Sequence, residues 1–505
     1  MPMNGYKKWD TILPGWFGQP YWQAFVMGLV IVVTVHTLRA AGPGFYLKGG
    51  DRVLFYGDSI TEQRFYTTEV ELFVRTRFPN LHVRFVNSAF GGDRVTGGGA
   101  GTINVRLKRD VFPFKPNIVT IMLGMNDAWY VPFKQRIFNT YTKGYEHIIT
   151  SLQKHLPGVK IVLIEPSPYD DVTHKPYFSL DPKYTGPESY NGVLVRYGRF
   201  VRQLAAKYHL MCVDFNKPLV DVLRQANRAN HVLAAQIIPG RIHPDANGQL
   251  VMAEALLKAW DAPATVTAVQ INARDSTVAQ AENTSISGLT VTRGIISWTQ
   301  MDKALPLALM DLHGNWPQFP QVLVWPYNRL WQPGGPNWNH SWLTINAKYQ
   351  PTDFWQPPQP KWSYVNPVTA LVLKDIHIYS ALDSEMLRIA GLTAPRYTLK
   401  IDGHRVGTFS STRLATGINL ARYHTPMLAQ SYHVMHVLWH AEQMRFYIWH
   451  YIQLPMAGYR QADIKHAQTK LIAALYHHLF HTIERREYAA ARIQPRHYEL
   501  VPISH

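Results

Sequence analysis

The chain has 505 residues, 46% of them hydrophobic and 17% charged, which excludes a disordered, coiled-coil, collagen-like or low-complexity protein and allows two or three domains with hydrophobic cores. The single cysteine, Cys212, excludes an intrachain disulfide and a cysteine-based zinc site. The net charge of +17 would attract polyanions, but no nucleic-acid-binding motif accompanies it, so we interpret it as a basic surface without a nucleic-acid partner.

The N-terminal segment has the features of an export signal. Two lysines, Lys7 and Lys8, precede an apolar run over residues 24–35, and small residues follow near position 40. Twelve apolar residues are few for a membrane span and typical of a signal peptide. Residues 1–45 are therefore predicted to be a signal peptide, or a signal anchor that holds the protein on a membrane through residues 24–35. Arg39, beside the possible cleavage site, keeps the second alternative open. The predicted location is periplasmic or extracellular.

Residues 46–262 show the alternation of short apolar runs and amphipathic stretches that is typical of an α/β domain with a parallel sheet covered on both faces. Helices are predicted near 67–77, 136–155, 189–208 and 247–260. The predicted strands span residues 52–57, 82–90, 117–124, 160–167 and 210–215.

The pattern changes after Pro263, and a mixed β and helical C-terminal region is predicted to follow. Residues 263–430 are predicted to be a β-rich accessory region, with Asp402-Gly403 as a tight hairpin turn and a Trp/Pro-rich insertion over 312–362. The tryptophans of that insertion would cover a core or stack on sugars. Residues 431–505 are predicted to be helical.

The histidines of this last region could face a metal, but no matching Glu/Asp pattern accompanies them, so no metal site is predicted. No organic cofactor is predicted for the reaction described below. The histidines in question are His436, His440, His477, His478 and His481.

Four short polar motifs follow strands of the first domain or precede its last helix. They are GDS at 57–59, GGD at 91–93, GMND at 124–127 and IHP at 242–244. Because the carboxyl ends of parallel strands lie at one edge of the sheet, we expect the four motifs to meet there.

Together these motifs resemble the conserved blocks of the SGNH, or GDSL-type, hydrolase family, over about residues 50–260. The resemblance implies a flavodoxin-like three-layer domain in which YGDSITE supplies Ser59 as the nucleophile and IHPDANGQ supplies His243 as the general base. It further implies that FGGD and LGMND supply Gly92 and Asn126 to an oxyanion hole, with the backbone N–H of Ser59 as the third donor. Such a site suits ester hydrolysis, because a serine hydroxyl needs a base to become a nucleophile and the tetrahedral intermediate needs hydrogen-bond donors.

The chain departs from the family where an aspartate usually precedes the histidine by three residues, because that position is Gly240. Three alternatives follow: a Ser-His dyad, a substitute acid such as Asp245 or another carboxylate, or a weak site. Asp58 and Asp127 are expected to support the loops. Near the motifs, further residues would line the pocket or form salt bridges: Arg64, Asp93 and Arg94.

The predicted function is a serine ester hydrolase that forms an acyl-enzyme on short-chain esters such as acetylated carbohydrate. The predicted partner is thus a small ester or an acylated carbohydrate. Two alternatives remain: a lipase or lysophospholipase, and a glycan-binding protein that has lost activity together with the acid at position 240.

Overall fold

The structure is a computed structural model that describes residues 44–174, 189–310, 312, 362–453, 478 and 481–503. The apolar run 24–35, His477 and nearly all of the 312–362 insertion lie outside the described residues. None of the helices in the described ranges has the length and apolarity that crossing a membrane requires.

A five-stranded parallel sheet forms the first part of the fold, with the order β2-β1-β5-β6-β7. The central strands β1 and β5 are buried almost throughout, which explains their unbroken apolar sequences. The strands of this part are β1 (Arg52–Gly57), β2 (Arg84–Asn87), β3 (Gly97–Gly98), β4 (Gly101–Thr102), β5 (Ile118–Met122), β6 (Lys160–Ile164) and β7 (Met211–Val213), with β3 and β4 as a separate hairpin.

Helices flank this sheet. In the sheet, β2 lies on one side of β1 and β5 lies on the other. Because crossovers between parallel strands are right-handed, the connecting helices are distributed over both faces of the sheet. Helices α2 and α8 pack together, as do α4 and α5. The helices are α1 (Ser59–Glu62), α2 (Phe65–Arg77), α3 (Ile103–Asp110), α4 (Gln135–His155), α5 (Tyr190–Tyr208), α6 (Asn216–Ala229), α7 (His231–Ala234) and α8 (Ala246–Ala259). The predicted α/β fold with a parallel sheet is confirmed.

Two further sheets follow the first domain. An antiparallel sheet has the order β10-β11-β16-β13-β14, and a mixed sheet has the order β15-β12-β8-β9 with β8 and β12 parallel. Their strands are β8 (Thr265–Asn272), β9 (Thr277–Glu282), β10 (Thr284–Thr292), β11 (Ile295–Asp302), β12 (Ser384–Ala390), β13 (Arg396–Ile401), β14 (His404–Ser410), β15 (Ile418–Asn419) and β16 (Arg496–Pro502). The predicted hairpin is confirmed, because Asp402 and Gly403 both have positive φ between β13 and β14.

Helices accompany these sheets, and one of them lies on the first domain. Phe65 of α2 stacks on Trp439 of the long C-terminal helix at 5.8 Å. The helices are α9 (Pro367–Val372), α10 (Ile378–Ala381), α11 (Ser411–Thr416) and α12 (Pro426–Tyr447), and a π-helical turn over Ile448–Gln453 extends α12. Residues 481–490 are also helical.

The expectation of helix to the end of the chain is wrong for β16. This strand lies between β11 and β13 and buries Tyr498 and Leu500 on one face. The alternation is short and includes a proline, so the local pattern resembles a polar tail. The division at residue 263 stays a prediction.

A buried ion network joins α2 to α12 and to the helix over 481–490. The N–O distances run from 2.6 Å for Arg64–Glu442, through 3.0 Å for Arg445–Glu487, to 3.3 Å for Arg445–Glu71. Arg75 pairs with Glu71 at 2.9 Å and with Glu487 at 3.0 Å. We call this set the six-residue ion network; its members are Arg64, Arg75, Arg445, Glu71, Glu442 and Glu487.

Candidate active site

Ser59 lies where β1 passes into α1, at the carboxyl edge of the sheet. Asp58 caps α1, because its carboxylate accepts a hydrogen bond from the Ile60 N–H at 3.0 Å. Gly57 has to be a glycine, since a Cβ there would collide with Thr61. The hydroxyl is therefore held at the first position of a short helix next to the point where the strand order reverses between β1 and β5, the usual ligand position in such sheets.

His243 reaches Ser59 from the loop before α8. Its Nε2 lies 2.8 Å from Ser59 Oγ. Burial lowers the pKa of His243 to about 4, so the imidazole is neutral at pH 7 and Nε2 can accept the hydroxyl proton. The structure thus brings together two predicted residues that are 184 positions apart in the chain.

Asp245 caps the helix that follows His243. One carboxylate oxygen accepts from the Gly248 N–H at 2.9 Å, and the other accepts from the Asn247 side-chain amide at 2.9 Å. These bonds orient the start of α8 and thereby the loop that carries the histidine.

Gly240 lies in a β-turn whose backbone conformation favours glycine. The Arg241 N–H donates to the Ile238 carbonyl at 3.1 Å, which closes a β-turn with Pro239 and Gly240 at its centre. Gly240 has φ of +71°, a left-handed conformation that other residues adopt only with strain. The position at which the family usually has an aspartate is therefore part of a Pro-Gly turn.

Asn126 follows β5 and faces the motif after β1. Its side-chain nitrogen lies 3.4 Å from an Asp58 carboxylate oxygen and 3.2 Å from the Asp93 carbonyl oxygen. The hydroxyl of Tyr130 donates to the Asn126 side-chain oxygen at 3.0 Å, which fixes the direction of the amide. Gly92 has φ of +77°, and nothing lies within 4 Å of a Cβ built there, so this backbone borders open space.

Two buried carboxyl groups flank these residues. Burial raises the pKa of Asp58 to about 7 and that of Asp127 to about 8. Asp127 accepts from the Val95 N–H at 2.9 Å and thereby links the loop after β5 to the loop after β2. Both aspartates hold loop backbone.

The three charged residues near the motifs, Arg64, Asp93 and Arg94, make two kinds of contact. Arg64 and Asp93 form buried ion pairs, with Glu442 at 2.6 Å and with Arg106 at 2.8 Å. Arg94 instead lies over the indole ring of Trp129, 3.7 Å from its centroid.

The sequence pattern did not assign a role to four residues beside these motifs. Trp129 and Tyr130 follow GMND after Ala128, at positions where aromatic residues normally indicate a core. Glu62, whose pKa burial raises to about 8, lies 3.6 Å from Nε2 of His450 in the π-helical turn. Only the docking of the C-terminal helix brings that histidine here, so no local signal could have found it.

Of the histidines considered for metal, His436 and His440 form a buried pair. Their Nε2 atoms lie 2.9 Å apart, a hydrogen-bond distance at which one ring donates to the other. Burial lowers the pKa of His440 to about 3, so that ring is neutral.

Comparisons with known proteins agree with this architecture. The model of the GDSL-like Lipase/Acylhydrolase family matches residues 55–251. The acetylxylan esterase of Geobacillus stearothermophilus is 28% identical over 232 residues, which are 42% of this chain and 94% of that protein. A solved structure described as a gut microbial diltiazem-metabolizing enzyme superposes with a TM-score of 0.66 at 23% identity, over 90% of this chain and 98% of that one.

The last likeness concerns the fold and extends well beyond the first domain. The family match, by contrast, includes Ser59, Gly92, Asn126 and His243. Residues 55–251 of this chain therefore form a domain of the GDSL-like lipase/acylhydrolase family, a family of carboxylic ester hydrolases.

Proposed function

We propose that the protein is a serine esterase that acts on short-chain esters through an acyl-enzyme. The observation that carries the proposal is the 2.8 Å distance between His243 Nε2 and Ser59 Oγ. A neutral imidazole at this distance from a serine hydroxyl is the arrangement that nucleophilic acyl transfer requires.

The reaction proceeds in two acyl transfers. Ser59 Oγ attacks the acyl carbonyl carbon while its proton passes to His243. The resulting oxyanion accepts from the N–H groups of Ser59 and Gly92 and from the Asn126 amide. When the ester C–O bond breaks, His243 returns the proton to the departing alcohol. Water then attacks the serine ester by the same route, and the carboxylic acid leaves.

The proposed substrate is an acetyl ester of a carbohydrate. Support comes from the relative named acetylxylan esterase, which is 28% identical over almost its whole length. Export also stays a proposal: it depends on residues 24–35, and the mass of the N-terminus of protein recovered outside the cytoplasm tests it.

Ser59→Ala tests the proposal. We expect kcat/KM for 4-nitrophenyl acetate to fall at least about 10³-fold, because the remaining donors cannot replace the nucleophile. A fluorophosphonate should label wild-type Ser59 and leave the variant unlabelled, as mass spectrometry of the peptide would show.

Ser431→Ala is the matched control. It removes another buried hydroxyl, one that donates to the Pro306 carbonyl at 2.6 Å, and it should keep its activity. Equal background rates for wild type and Ser59→Ala would leave the glycan-binding alternative. A rate maximum at long chains, in a series from acetyl to decanoyl esters, would favour the lipase alternative.

A further inference from the structure

An exposed tryptophan lies directly beside the candidate oxyanion asparagine. The Trp129 N–H donates to the Asn126 carbonyl at 3.2 Å, so the ring belongs to the same turn as that amide. Its side chain is 53% exposed, although large aromatic side chains are normally covered. Arg94 follows Asp93, whose carbonyl oxygen lies 3.2 Å from the Asn126 amide nitrogen. Trp129 and Arg94 thus flank Asn126 from two loops.

The backbone that presents this ring is strained. Trp129 and Tyr130 have φ of 59° and 54°, the left-handed conformation that costs of order 1–2 kcal/mol for each such residue. Hydrogen bonds hold it in place: the Tyr130 N–H donates to the Tyr190 hydroxyl at 3.2 Å, and the Tyr130 hydroxyl donates to Asn126. Strain held by surrounding contacts is characteristic of functional positions.

Arg94 covers one face of the indole, because a guanidinium carbon 3.7 Å from the ring centroid can only lie over the ring face. Trp129 is nevertheless 53% exposed, so a ligand can reach part of its ring.

These features match the chemistry of a sugar. The C–H face of a pyranose is apolar and packs on an aromatic ring. An alkyl alcohol offers no such broad flat face.

We propose that Trp129, held by Arg94 on one face of its ring, forms the subsite for the alcohol part of the ester, and that a pyranose ring stacks on the other face of the indole. The proposal rests on the proposed esterase function and assigns the substrate class to a named residue. Trp129 acts in binding, Arg94 positions the ring, and neither touches the reacting bond.

The test compares two acetyl esters in wild type, Trp129→Asn and Trp129→Phe. Asparagine removes the ring and tolerates positive φ, so the variant keeps the turn. For an acetylated xylo-oligosaccharide we expect Trp129→Asn to raise KM about 5- to 10-fold with kcat nearly unchanged, the size of one aromatic contact. For ethyl acetate we expect a smaller change, so that the ratio of kcat/KM for the sugar ester to kcat/KM for ethyl acetate falls about 5- to 10-fold, because an ester without a sugar makes no stacking contact with the ring. Trp129→Phe should retain most of the sugar preference.

Tyr379→Ala is the matched control, because Tyr379 also stacks against an arginine, Arg422 at 4.5 Å, in the accessory region. It should change neither substrate's constants. Equal effects of Trp129→Asn on both esters, or no effect on either, would overturn the subsite.

A binding measurement separates this inference from the esterase proposal. Calorimetric titration of Ser59→Ala with the acetylated xylo-oligosaccharide should show binding that weakens about 5- to 10-fold in Ser59→Ala/Trp129→Asn. If wild type neither hydrolyses esters nor reacts with fluorophosphonate, the esterase proposal fails, and this titration still decides the subsite. Equal binding by the two proteins would refute the subsite alone.

Discussion

Two polar clusters, one buried and one partly buried, include residues next to α1 in the chain, and they are built in different ways. The six-residue ion network places three arginines against three glutamates, all with side chains at most 6% exposed. The strand-edge cluster consists of Asp58, Ser59, Asn126 and His243. Its histidine is neutral, the pKa of Asp58 is raised to about 7, and its amide contacts are 3.2–3.4 Å long.

The difference shows how burial of polar groups can serve stability or chemistry. In the network each charged side chain pairs with at least one side chain of opposite charge, and these pairs join three helical segments. In the strand-edge cluster, backbone caps and the Tyr130 hydroxyl hold the groups in place. The Ser59 hydroxyl bonds to His243, and the Asn126 amide nitrogen makes only contacts of 3.2–3.4 Å, which a substrate oxygen could replace. Groups preorganised in this way can stabilise a transition state.

The largest expected effect concerns stability. Glu487→Gln leaves Arg75 and Arg445 short of one buried negative charge, and we expect the free energy of unfolding to fall by about 3–5 kcal/mol. Urea denaturation followed by circular dichroism measures it. The folded protein should keep its esterase kcat/KM.

Glu484→Gln provides the control on the same helix. Glu484 pairs at 2.9 Å with Arg84, which is 54% exposed, and an exposed pair contributes only about 0–1 kcal/mol. Equal losses in the two variants would contradict the contrast between buried and exposed pairs.

The next effect concerns activity. Asn126→Ala should lower kcat/KM for 4-nitrophenyl acetate about 10²- to 10³-fold, because an oxyanion donor is lost, while stability changes little. Tyr130→Phe, which removes only the hydroxyl that orients Asn126, should give a smaller decrease in kcat with KM unchanged.

Asn117→Ala is the matched control at the opposite end of β5. Asn117 accepts from the Arg52 N–H and donates to Asp51, both at 2.6 Å, so its loss should cost about 1 kcal/mol of stability and leave kcat/KM intact. A comparable activity loss at both ends of the strand would refute the role of Asn126.

The smallest expected effect is on the pH dependence of kcat/KM, which reports the protonation of His243. Because burial lowers its pKa to about 4, kcat/KM should be constant from neutral pH down to about pH 5 and fall about tenfold per unit below pH 4. Between pH 6.5 and 4 the unfolded chain binds this proton and the folded one does not, so the stability contributed by this residue decreases as pH falls through that window.

A bend between about pH 6 and 7 would contradict control by a buried His243 alone, because an exposed histidine and Asp58, whose pKa burial raises to about 7, both titrate in that range. Initial rates with 4-nitrophenyl acetate over the whole range give the profile.

Local sequence was sufficient to predict the parallel sheet and the positions of the four motifs. Strands β1 and β5 are mostly apolar because both faces are covered, and such a run can be recognised in the sequence alone. The strand predicted at 82–90 is shorter in the structure, since the Asn87 side chain accepts from the Ala89 N–H and begins a loop after β2.

Contacts between segments that are far apart in the chain could not be predicted from the local sequence. Glu487 lies 412 positions from Arg75, and nothing beside either residue indicates the other. Trp129 resembles a core residue in sequence, and only its left-handed backbone and its stack on Arg94 show an outward-facing ring.

The sequence by itself determined the α/β class, the strand ends that carry Ser59 and Asn126, the position of His243 before the last helix of the sheet domain, and the Asp402-Gly403 hairpin, because each depends on short-range periodicity or turn chemistry. Only the tertiary structure decided the 2.8 Å approach of His243 to Ser59, the insertion of β16 and the burial of the ion network. Those features depend on packing between segments hundreds of residues apart, where local pattern carries no information about distance.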